Sequence, residues 1–327
     1  MPVEMSNISV NFRGTEATEI FLEPVFMDDD IRTQFRRLGN VNNKQKLAFV
    51  RELEQIVRSY SGCGFTPIGN VELYQRTIEV EHMAAEVSQC WDEFRDTVYE
   101  ELLNLGVRRS DITGTMIESI ILQRVRTGIK KDIIRLTHFG DKSSVNPAYN
   151  SLNGFWTVIY PALTTGTPLV PRTNTGSGSD IAAGDGIEIM RDVYEQAPNE
   201  LKAIDPSQKF FNVTGSVYDA LIRDYEDAGG GDYGFGLLRN GQNVLTFRGI
   251  PVYARREWDI YATALGTTKP HYVEYTTPLN KVLATDVDSP ENQFKTWFNE
   301  ETEKYNVKTR FKLGVDYIHH SLISLGY

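Results

Sequence analysis

The sequence predicts an α+β fold, and three observations support this fold class. Residues 115–139 carry apolar side chains every three or four positions, which is the period of one long amphipathic helix. Two shorter helical patterns flank the apolar run at residues 210–213, which is typical of a buried strand. From residue 244 onward most segments have strand character, so helices and antiparallel strands are largely segregated along the chain.

Length and composition set the broad class. The chain has 327 residues, which allows one large domain or two smaller ones. Hydrophobic residues make up 40% and charged residues 24%, and this ordinary balance excludes wholesale disorder and collagen-like repeats. No apolar run reaches the roughly 18 residues that a transmembrane helix needs. Residues 1–13 are polar where a secretory signal has an apolar core, so we expect no secretory address.

Charge and cysteine content restrict the expected partners. The chain has 34 Lys+Arg against 44 Asp+Glu, a net charge of −10, which disfavours a general nucleic-acid binder because such a binder needs positive potential. Cys63 and Cys90 cannot build a disulfide framework and are expected to be reduced thiols. Sixteen Tyr and sixteen Phe suit extensive packing or protein–protein surfaces.

The N-terminal part predicts a turn, a helix, an extended arm and a second helix. Residues 28–30 are three aspartates, which we interpret as a solvated turn or helix cap in preference to a cation site. Residues 44–60 have helical spacing and end at the glycine-containing residues 61–64. In residues 71–90, apolar and charged side chains partly alternate, which predicts extended strand of the kind found in a long hairpin arm. Helical spacing returns at 91–105.

The long helix at 115–139 contains one glycine and ends at another. Gly128 costs about 1 kcal/mol relative to alanine in a helix, and we interpret it as a point of close packing against another element. Gly140 provides the stop. The polar face is basic, and a solvated face, a nucleic-acid contact and a subunit contact all remain open for it. Its charged residues are Arg124, Arg126, Lys130, Lys131 and Arg135, with Asp132 opposing.

The middle of the chain predicts loops followed by two helices. Residues 141–186 are rich in Gly, Ser, Thr, Asn and Pro and are expected to be mostly loop. A helix is predicted from Asp185 to the stop at Pro198. A second is predicted from Ser216, because Asp219 three residues later fits a capping box.

The C-terminal part predicts strands. Residues 244–247 and 250–253 flank a turn at Arg248-Gly249, and residues 272–275 and 282–284 follow. Residues 305–313 alternate strictly between apolar and polar side chains, which predicts a half-buried strand with one basic face.

Most signatures of enzyme chemistry are absent from the sequence. It contains no Gly-x-x-x-x-Gly-Lys phosphate loop, no His-Glu-x-x-His zinc helix and no Cys-x-x-Cys pair. The glycine-rich residues 229–236 follow a predicted helix, whereas a dinucleotide loop must follow a strand. We therefore interpret them, and residues 176–180, as loops.

Two further groups, one of histidines and one of acidic residues, have the residue types that bind metals. His319 and His320 are adjacent, and neighbours on a strand face opposite ways, which disfavours shared coordination. Asp286, Asp288 and Glu291 fit a turn better than a calcium loop, because Pro290 intervenes and the loop glycine is missing. The sequence thus predicts no catalytic, cofactor-binding or metal-binding residue, and no cofactor.

The order of these segments resembles that of one structural family. A strand leaving a hairpin arm, a long helix ending in Gly-Asp, a Gly-plus-apolar segment and a helix–strand–helix unit occur in sequence, followed by a Gly-apolar-Pro-Val turn and a long strand pair. The residues that carry the resemblance are 74–80, 117–141, 154–156, 211–221, 247–252, 294–298 and 305–313. In this order the chain resembles the major capsid proteins of tailed double-stranded DNA bacteriophages, which have the Hong Kong 97 phage-type capsid fold.

The resemblance implies a domain organisation and a mechanical role. Subunits would form hexamers and pentamers that tile an icosahedral phage head enclosing double-stranded DNA, and the protein would not be an enzyme. The implied parts are an N-terminal arm at 1–60, an extended loop and connecting strand at 61–90, a peripheral domain at 91–165 and 271–327 with a spine helix at about 115–139, and an axial domain at 166–270.

The resemblance also implies partners and location. The chain would bind copies of itself, portal and scaffolding proteins, and in some systems head-decoration proteins and a maturation protease. It would contact packaged DNA only non-specifically, since an acidic wall repels DNA. No membrane contact is implied. It would reside in the virion capsid, and in the host cytoplasm during assembly.

Two alternatives stay open at this point. An encapsulin-type compartment shell protein would share the fold and store an enzyme cargo in place of DNA. An α/β enzyme with a glycine-rich ligand loop would instead show a concave pocket with convergent titratable groups.

Overall fold

The structure is a computed structural model with side chains. It describes residues 10–13, 31, 33–50, 73–90, 116–164, 172–173, 175, 180–227, 245–265, 270–286, 293–299, 301–302 and 304–327. The predicted helix at 91–105, the three aspartates at 28–30 and the glycine-rich residues 176–179 and 229–236 lie outside these ranges.

Helices and strands are distributed as an α+β protein. The helices are α1 (Met116–Phe139), α2 (Phe155–Thr164), α3 (Asp185–Gln196), α4 (Asn199–Ala203), α5 (Gly215–Asp227) and α6 (Arg256–Ala264). The strands are β1 (Val10–Arg13), β2 (Arg36–Leu38), β3 (Lys44–Val50), β4 (Leu73–Glu79), β5 (Glu81–Cys90), β6 (Arg172–Thr173), β7 (Phe210–Thr214), β8 (Leu245–Phe247), β9 (Ile250–Arg255), β10 (Val273–Thr276), β11 (Lys281–Ala284), β12 (Gln293–Asn299), β13 (Lys304–Tyr317) and β14 (Ile323–Gly326).

The chain divides into two compact units, each assembled from separate segments. The first comprises Met1–Asn43, Val80–Val158 and Leu283–Val315. The second comprises Lys44–Glu79, Ile159–Val282 and Asp316–Tyr327.

A sheet with order β1-β12-β13-β11-β2, in which β5 also pairs with β13, accounts for most strands of the first unit. β12 and β13 are antiparallel with Phe294 opposite Thr309, which confirms the predicted strand pair. β5 runs antiparallel to β13 with Val87 opposite Val307. The predicted alternation holds from Lys304 to Arg310, whereas residues 311–317 are buried throughout.

Helix α1 confirms the strongest prediction of the sequence. Its buried side chains include Val125, Ile129 and Ile133, which recur at one-turn spacing on one face. Gly140 ends the helix where its backbone is crowded, because an added Cβ would lie 2.3 Å from the Leu152 carbonyl oxygen. The interpretation of Gly128 as a packing point is wrong for the described part of the chain, since a Cβ there would meet no described atom within 4 Å.

The second unit contains a sheet with order β6-β14-β10-β7-β9-β8. The predicted buried strand at 210–213 is its strand β7, parallel to β9 and antiparallel to β10. Helices α3 and α5 confirm the two predicted mid-chain helices, and they pack with the sheet in one core. Buried members of this core include Met190, Leu201, Phe211, Val217, Leu221 and Tyr275.

The start of α5 differs from the predicted capping box. The helix begins at Gly215, whose N–H donates to Asp259 Oδ2 at 2.6 Å, and the Ser216 N–H donates to Asp259 Oδ1 at 3.3 Å. Asp219 instead accepts from Arg256 Nη2 at 2.8 Å. The cap therefore comes from α6, and a carboxylate there compensates the orphan amides as a local side chain would.

The tight turn predicted between β8 and β9 is confirmed. Arg248 and Gly249 both have positive φ, 51° and 79°. Two consecutive left-handed residues are typical of the hairpin turn whose twist matches that of the flanking strands.

The helix predicted for residues 44–60 is wrong over residues 44–50, which form β3. β3 pairs antiparallel with β4 from Lys44 opposite Glu79 to Val50 opposite Leu73. The heptapeptide fits both periods, because Leu47 and Phe49 also alternate with polar or small residues. Pairing with a strand over twenty residues away decides between them, and residues 51–60 lie outside the described ranges.

Candidate functional site

The two-stranded sheet of β3 and β4, here called the hairpin sheet, is the candidate functional site. Leu47 and Ile78 are buried, whereas Val50 and Leu73 are 55% and 52% exposed. Because Val50 and Leu73 are directly opposite in the register, their side chains lie on the same face of the sheet. An isolated two-stranded sheet is marginally stable in water, so the exposed apolar pair at one end makes this sheet a candidate contact surface.

The hairpin sheet is fastened within its own unit by Arg76. The Arg76 Nη2 and Nε atoms donate to Asp316 Oδ1 at 2.9 and 3.1 Å. The same guanidinium lies 4.0 Å from the centre of the Tyr317 ring. Burial raises the pKa of Asp316, and the neighbouring Arg76 charge partly offsets this effect. Because Arg76 both pairs with a carboxylate and stacks on an aromatic ring, these two contacts fix the position of β4.

His319 forms a second fastening point. Its ring stacks on Phe49 at 4.6 Å and meets Tyr74 edge-on at 4.5 Å. Its Nδ1 accepts from the Ser321 N–H at 3.2 Å. The expectation that His319 and His320 face opposite ways is wrong, since their ring centres are 4.0 Å apart. The chain leaves β13 at Tyr317 and enters a 3₁₀ turn at His320, so strand alternation no longer applies.

A buried ionic network lies in the second unit. Lys281 Nζ is 2.8 and 2.9 Å from the two carboxylate oxygens of Glu274, and both side chains are fully buried. Asn212 Nδ2 donates to Glu274 Oε2 at 3.2 Å, and Arg255 Nε donates to Asn212 Oδ1 at 3.0 Å. Burial lowers the pKa of Lys281, which the charge of Glu274 partly offsets. This network was missed from the sequence, although a lone charged residue inside an apolar strand, such as Glu274, was a visible signal.

Ser216 and His271 are the pair that most resembles a nucleophile and its base. The Ser216 hydroxyl lies 2.7 Å from His271 Nδ1 and 3.1 Å from the Thr214 hydroxyl. His271 is only 1% exposed, and Asp259, the carboxylate beside this helix start, is occupied by backbone amides. The arrangement fits a structural hydrogen-bond network that joins α5 to the segment before β10.

The structure places the acidic residues of the candidate calcium loop and the basic residues of α1 as follows. Asp286 is buried and lies 3.3 Å from Lys312 Nζ, while Asp288 and Glu291 are outside the described ranges. On α1, Arg135 pairs with Asp132 at 2.9 Å, so this cation is part of the local structure. The remaining basic residues on α1 are exposed at Arg124 and Lys131 and half-buried at Arg126 and Lys130.

Among the described residues, no group of three or more His, Cys, Asp or Glu could hold a metal ion. No helix within the described ranges is long and apolar enough to cross a membrane. Cys90 is a half-buried free thiol, and Cys63 is outside those ranges.

Comparison with known proteins gives structural matches only. No family model matches the sequence, and no curated protein matches it. A chain from the satellite phage P4 procapsid including size determination (Sid) protein matches with a TM-score of 0.57 at 11% identity, covering 93% of this chain and 96% of that one. A chain from the capsid of the native GTA particle has a TM-score of 0.58 at 12% identity, covering 90% and 88%. One from the capsid of Myoviridae phage XM1 has a TM-score of 0.52 at 12% identity, with the same coverage. These matches confirm the predicted α+β fold of the Hong Kong 97 phage type.

Proposed function

We propose that this chain, which has the fold of phage capsid proteins, is a major capsid protein that assembles as hexamers and pentamers into an icosahedral head around double-stranded DNA. The observation that carries the proposal is the coverage of the structural matches. They extend over at least 90% of this chain and at least 88% of the matched capsid chains. A likeness of that extent covers nearly the whole chain and not one core motif. Fold alone does not fix function, so the assembly experiment below tests the role.

The two units support a division of labour between regions. We assign α1 and the β12–β13 pair to a peripheral domain, and the sheet around β7 to an axial domain that surrounds the capsomer axis. Because β10 and β14 belong to that sheet, we extend the axial assignment from 166–270 to include these two strands. Residues 1–60 would include the clasping N-terminal arm, and residues 61–90 the extended loop with its connecting strand. Because β3 pairs with β4, we extend the loop assignment back to Lys44.

The hairpin sheet supplies a surface for a neighbouring subunit. Its Val50–Leu73 pair is exposed in the single chain, and burying apolar area of this kind favours association by about 25 cal/mol per Å². Each subunit would place this surface on the next one, a heterologous contact that closes into rings.

A capsid role implies particular partners, a location and a mechanical function. Copies of the chain are the main partner, with portal and scaffolding proteins, and in some systems decoration proteins and a maturation protease, acting during or after assembly in the host cytoplasm. The mature protein resides in the virion. The role is mechanical, so we propose no enzymatic activity and no cofactor.

The test is to express the chain with and without a scaffolding partner and to image the products by electron microscopy. Closed icosahedral shells are expected. Strictly monomeric particles under all assembly conditions would overturn the proposal. Shells that contain an enzyme cargo and no portal or DNA would replace it with the encapsulin-type alternative.

A variant pair tests the hairpin contact. Val50→Asp with Leu73→Asp should leave a folded subunit and abolish shell formation, because both side chains are exposed in the subunit. The matched control is Val145→Asp, at a loop valine that is 98% exposed. Equal shell yields from both variants would remove the hairpin sheet from the interface.

A further inference from the structure

The sheet of β5, β12 and β13 has one strongly basic side. On β13, Lys304, Lys308 and Arg310 are separated by even numbers of residues and so lie on one side, and Lys295 on β12 is directly opposite Lys308. These four residues are here called the basic face. Lys304 and Arg310 are exposed, and Lys295 and Lys308 are half-buried.

The other side of the same strands is core. Phe294, Tyr305 and Val307 are at most 5% exposed, and they alternate with the residues of the basic face. Because successive side chains on a strand point to opposite sides of the sheet, the four cations lie on the solvent side. The basic face is therefore not part of the packing that holds this unit together.

Acidic residues compensate this charge only in part. At the β5 positions opposite residues 306–312 of β13, the face carries Ser88, Glu86, Ala84 and His82. Glu86 lies 2.8 Å from Lys308 Nζ, and its pKa is lowered by that hydrogen bond and charge, with a smaller contribution from Arg310. Glu301 is exposed in the turn between β12 and β13, at the end of the sheet. Along the strands themselves, four cations thus face one carboxylate on a chain whose net charge is −10.

We propose that the basic face binds the phosphate backbone of double-stranded DNA. The proposal rests on the capsid function proposed above and names the side of the subunit that meets the packaged genome. It revises the expectation that an acidic wall repels DNA, because this side of the sheet is basic although the chain is acidic overall.

The chemistry of the face favours phosphates over an acidic protein segment. Most neighbouring side chains on it are small or polar, such as Ala84, Ser88 and Asn306, whereas the core of a protein–protein interface is rich in apolar side chains. Trp297 is the exception, and its ring lies 5.2 Å from Lys295 Nζ, where it orients that cation. Lys308 and Arg310 are about 6.6 Å apart along the strand, a spacing that can meet successive charges of a duplex without reading bases.

A few cations per subunit give weak binding, which suits a container. A single copy would hold DNA poorly, but many copies on one shell act together on one polymer, and the combined affinity exceeds that of each contact. Weak individual contacts also let the DNA slide during packaging and exit.

The experiment compares two triple variants of the full chain as unassembled subunits. One removes three cations of the basic face, Lys295→Gln, Lys304→Gln and Arg310→Gln. The other removes three cations of α1, Arg124→Gln, Lys130→Gln and Lys131→Gln, and so matches the change in net charge. Binding of a short labelled DNA duplex is measured by fluorescence anisotropy over a range of salt concentrations, with a poly-glutamate peptide as a second probe.

The basic-face variant should lose affinity for DNA, and the slope of log K against log salt should fall in magnitude by up to about 2.7, at about 0.9 per phosphate contact. The α1 variant should keep the wild-type slope. Equal slopes for wild type and the basic-face variant, or a larger loss in the α1 variant, would overturn the proposal. So would tighter wild-type binding of poly-glutamate than of DNA, or no measurable wild-type binding of DNA at the lowest salt concentration. Shell formation by the same variants is scored by electron microscopy, so a failure of this proposal is separable from a failure of the capsid function.

Discussion

Removing the buried lysine of the ionic network should be among the most destabilising single changes in the second unit. Lys281→Met leaves Glu274 fully buried, with Asn212 as its remaining donor in the network described above. Breaking a buried ion pair by removing one partner costs about 3–5 kcal/mol, because the other charge stays desolvated without compensation. For a unit of this size that corresponds to a fall of roughly 6–20 °C in Tm.

Urea unfolding of unassembled subunits, followed by circular dichroism, measures this loss. The control is Lys44→Met, the same substitution at the ion pair with Glu79, whose side chains are 55% and 53% exposed. Exposed pairs contribute about 0–1 kcal/mol, so this variant should unfold close to wild type. Adding Glu274→Gln to Lys281→Met should restore most of the lost stability, since no uncompensated charge remains buried. A Lys281→Met cost no larger than that of Lys44→Met would refute the reasoning.

Three further predictions concern helix ends, helix glycines and pH. Asp259→Ala should destabilise the subunit by about 1 kcal/mol in thermal unfolding, because it removes the acceptor for the first amides of α5; an unchanged Tm would show that water replaces the cap. Gly128→Ala should stabilise by up to about 1 kcal/mol, whereas Gly140→Ala should destabilise, and the opposite order would contradict the described packing of α1. Because burial raises the pKa of Asp316, the folded chain holds this proton to a higher pH than the unfolded chain. The resulting contribution to stability is present below the ordinary Asp pKa and is lost as pH rises through the raised value, so the stability of wild type relative to Asp316→Asn should fall over that range; urea titrations in which the difference stays constant would contradict it.

Elements defined by local pattern were predictable from the sequence. The helix at 115–139 has a long apolar repeat, and the strand at 210–213 is a compact apolar run. The turn at Arg248-Gly249 contains a glycine, the residue that most readily adopts positive φ. The predicted fold class was confirmed for the same reason, because the order of such segments constrains the topology even where no single motif is specific.

Features that depend on distant partners were not predictable. The cap of α5 comes from Asp259, which is 44 residues from Gly215, so a local capping box was the wrong choice. The segment 44–50 is too short to distinguish the helical period from the strand period, and the strand that pairs with it is not adjacent in sequence. The candidate contact surface was missed for the same reason, since the exposure of Val50 and Leu73 follows only from their paired positions.

Under the proposed capsid function, the two faces of the hairpin sheet have different energetic roles, and this separates folding from assembly. Arg76 contacts Asp316, 240 residues further along the chain, and Phe49 and Tyr74 on the same face pack on His319, so this face is held within the single chain. Val50 and Leu73, on the opposite face, have no comparable burial in the single chain, and a neighbouring subunit would bury them under that proposal. A substitution at Arg76 should therefore lower subunit stability and shell yield together, whereas one at Val50 or Leu73 should lower shell yield alone. Under that proposal the surface that drives association is small, and the face that positions it is already fixed in the single chain.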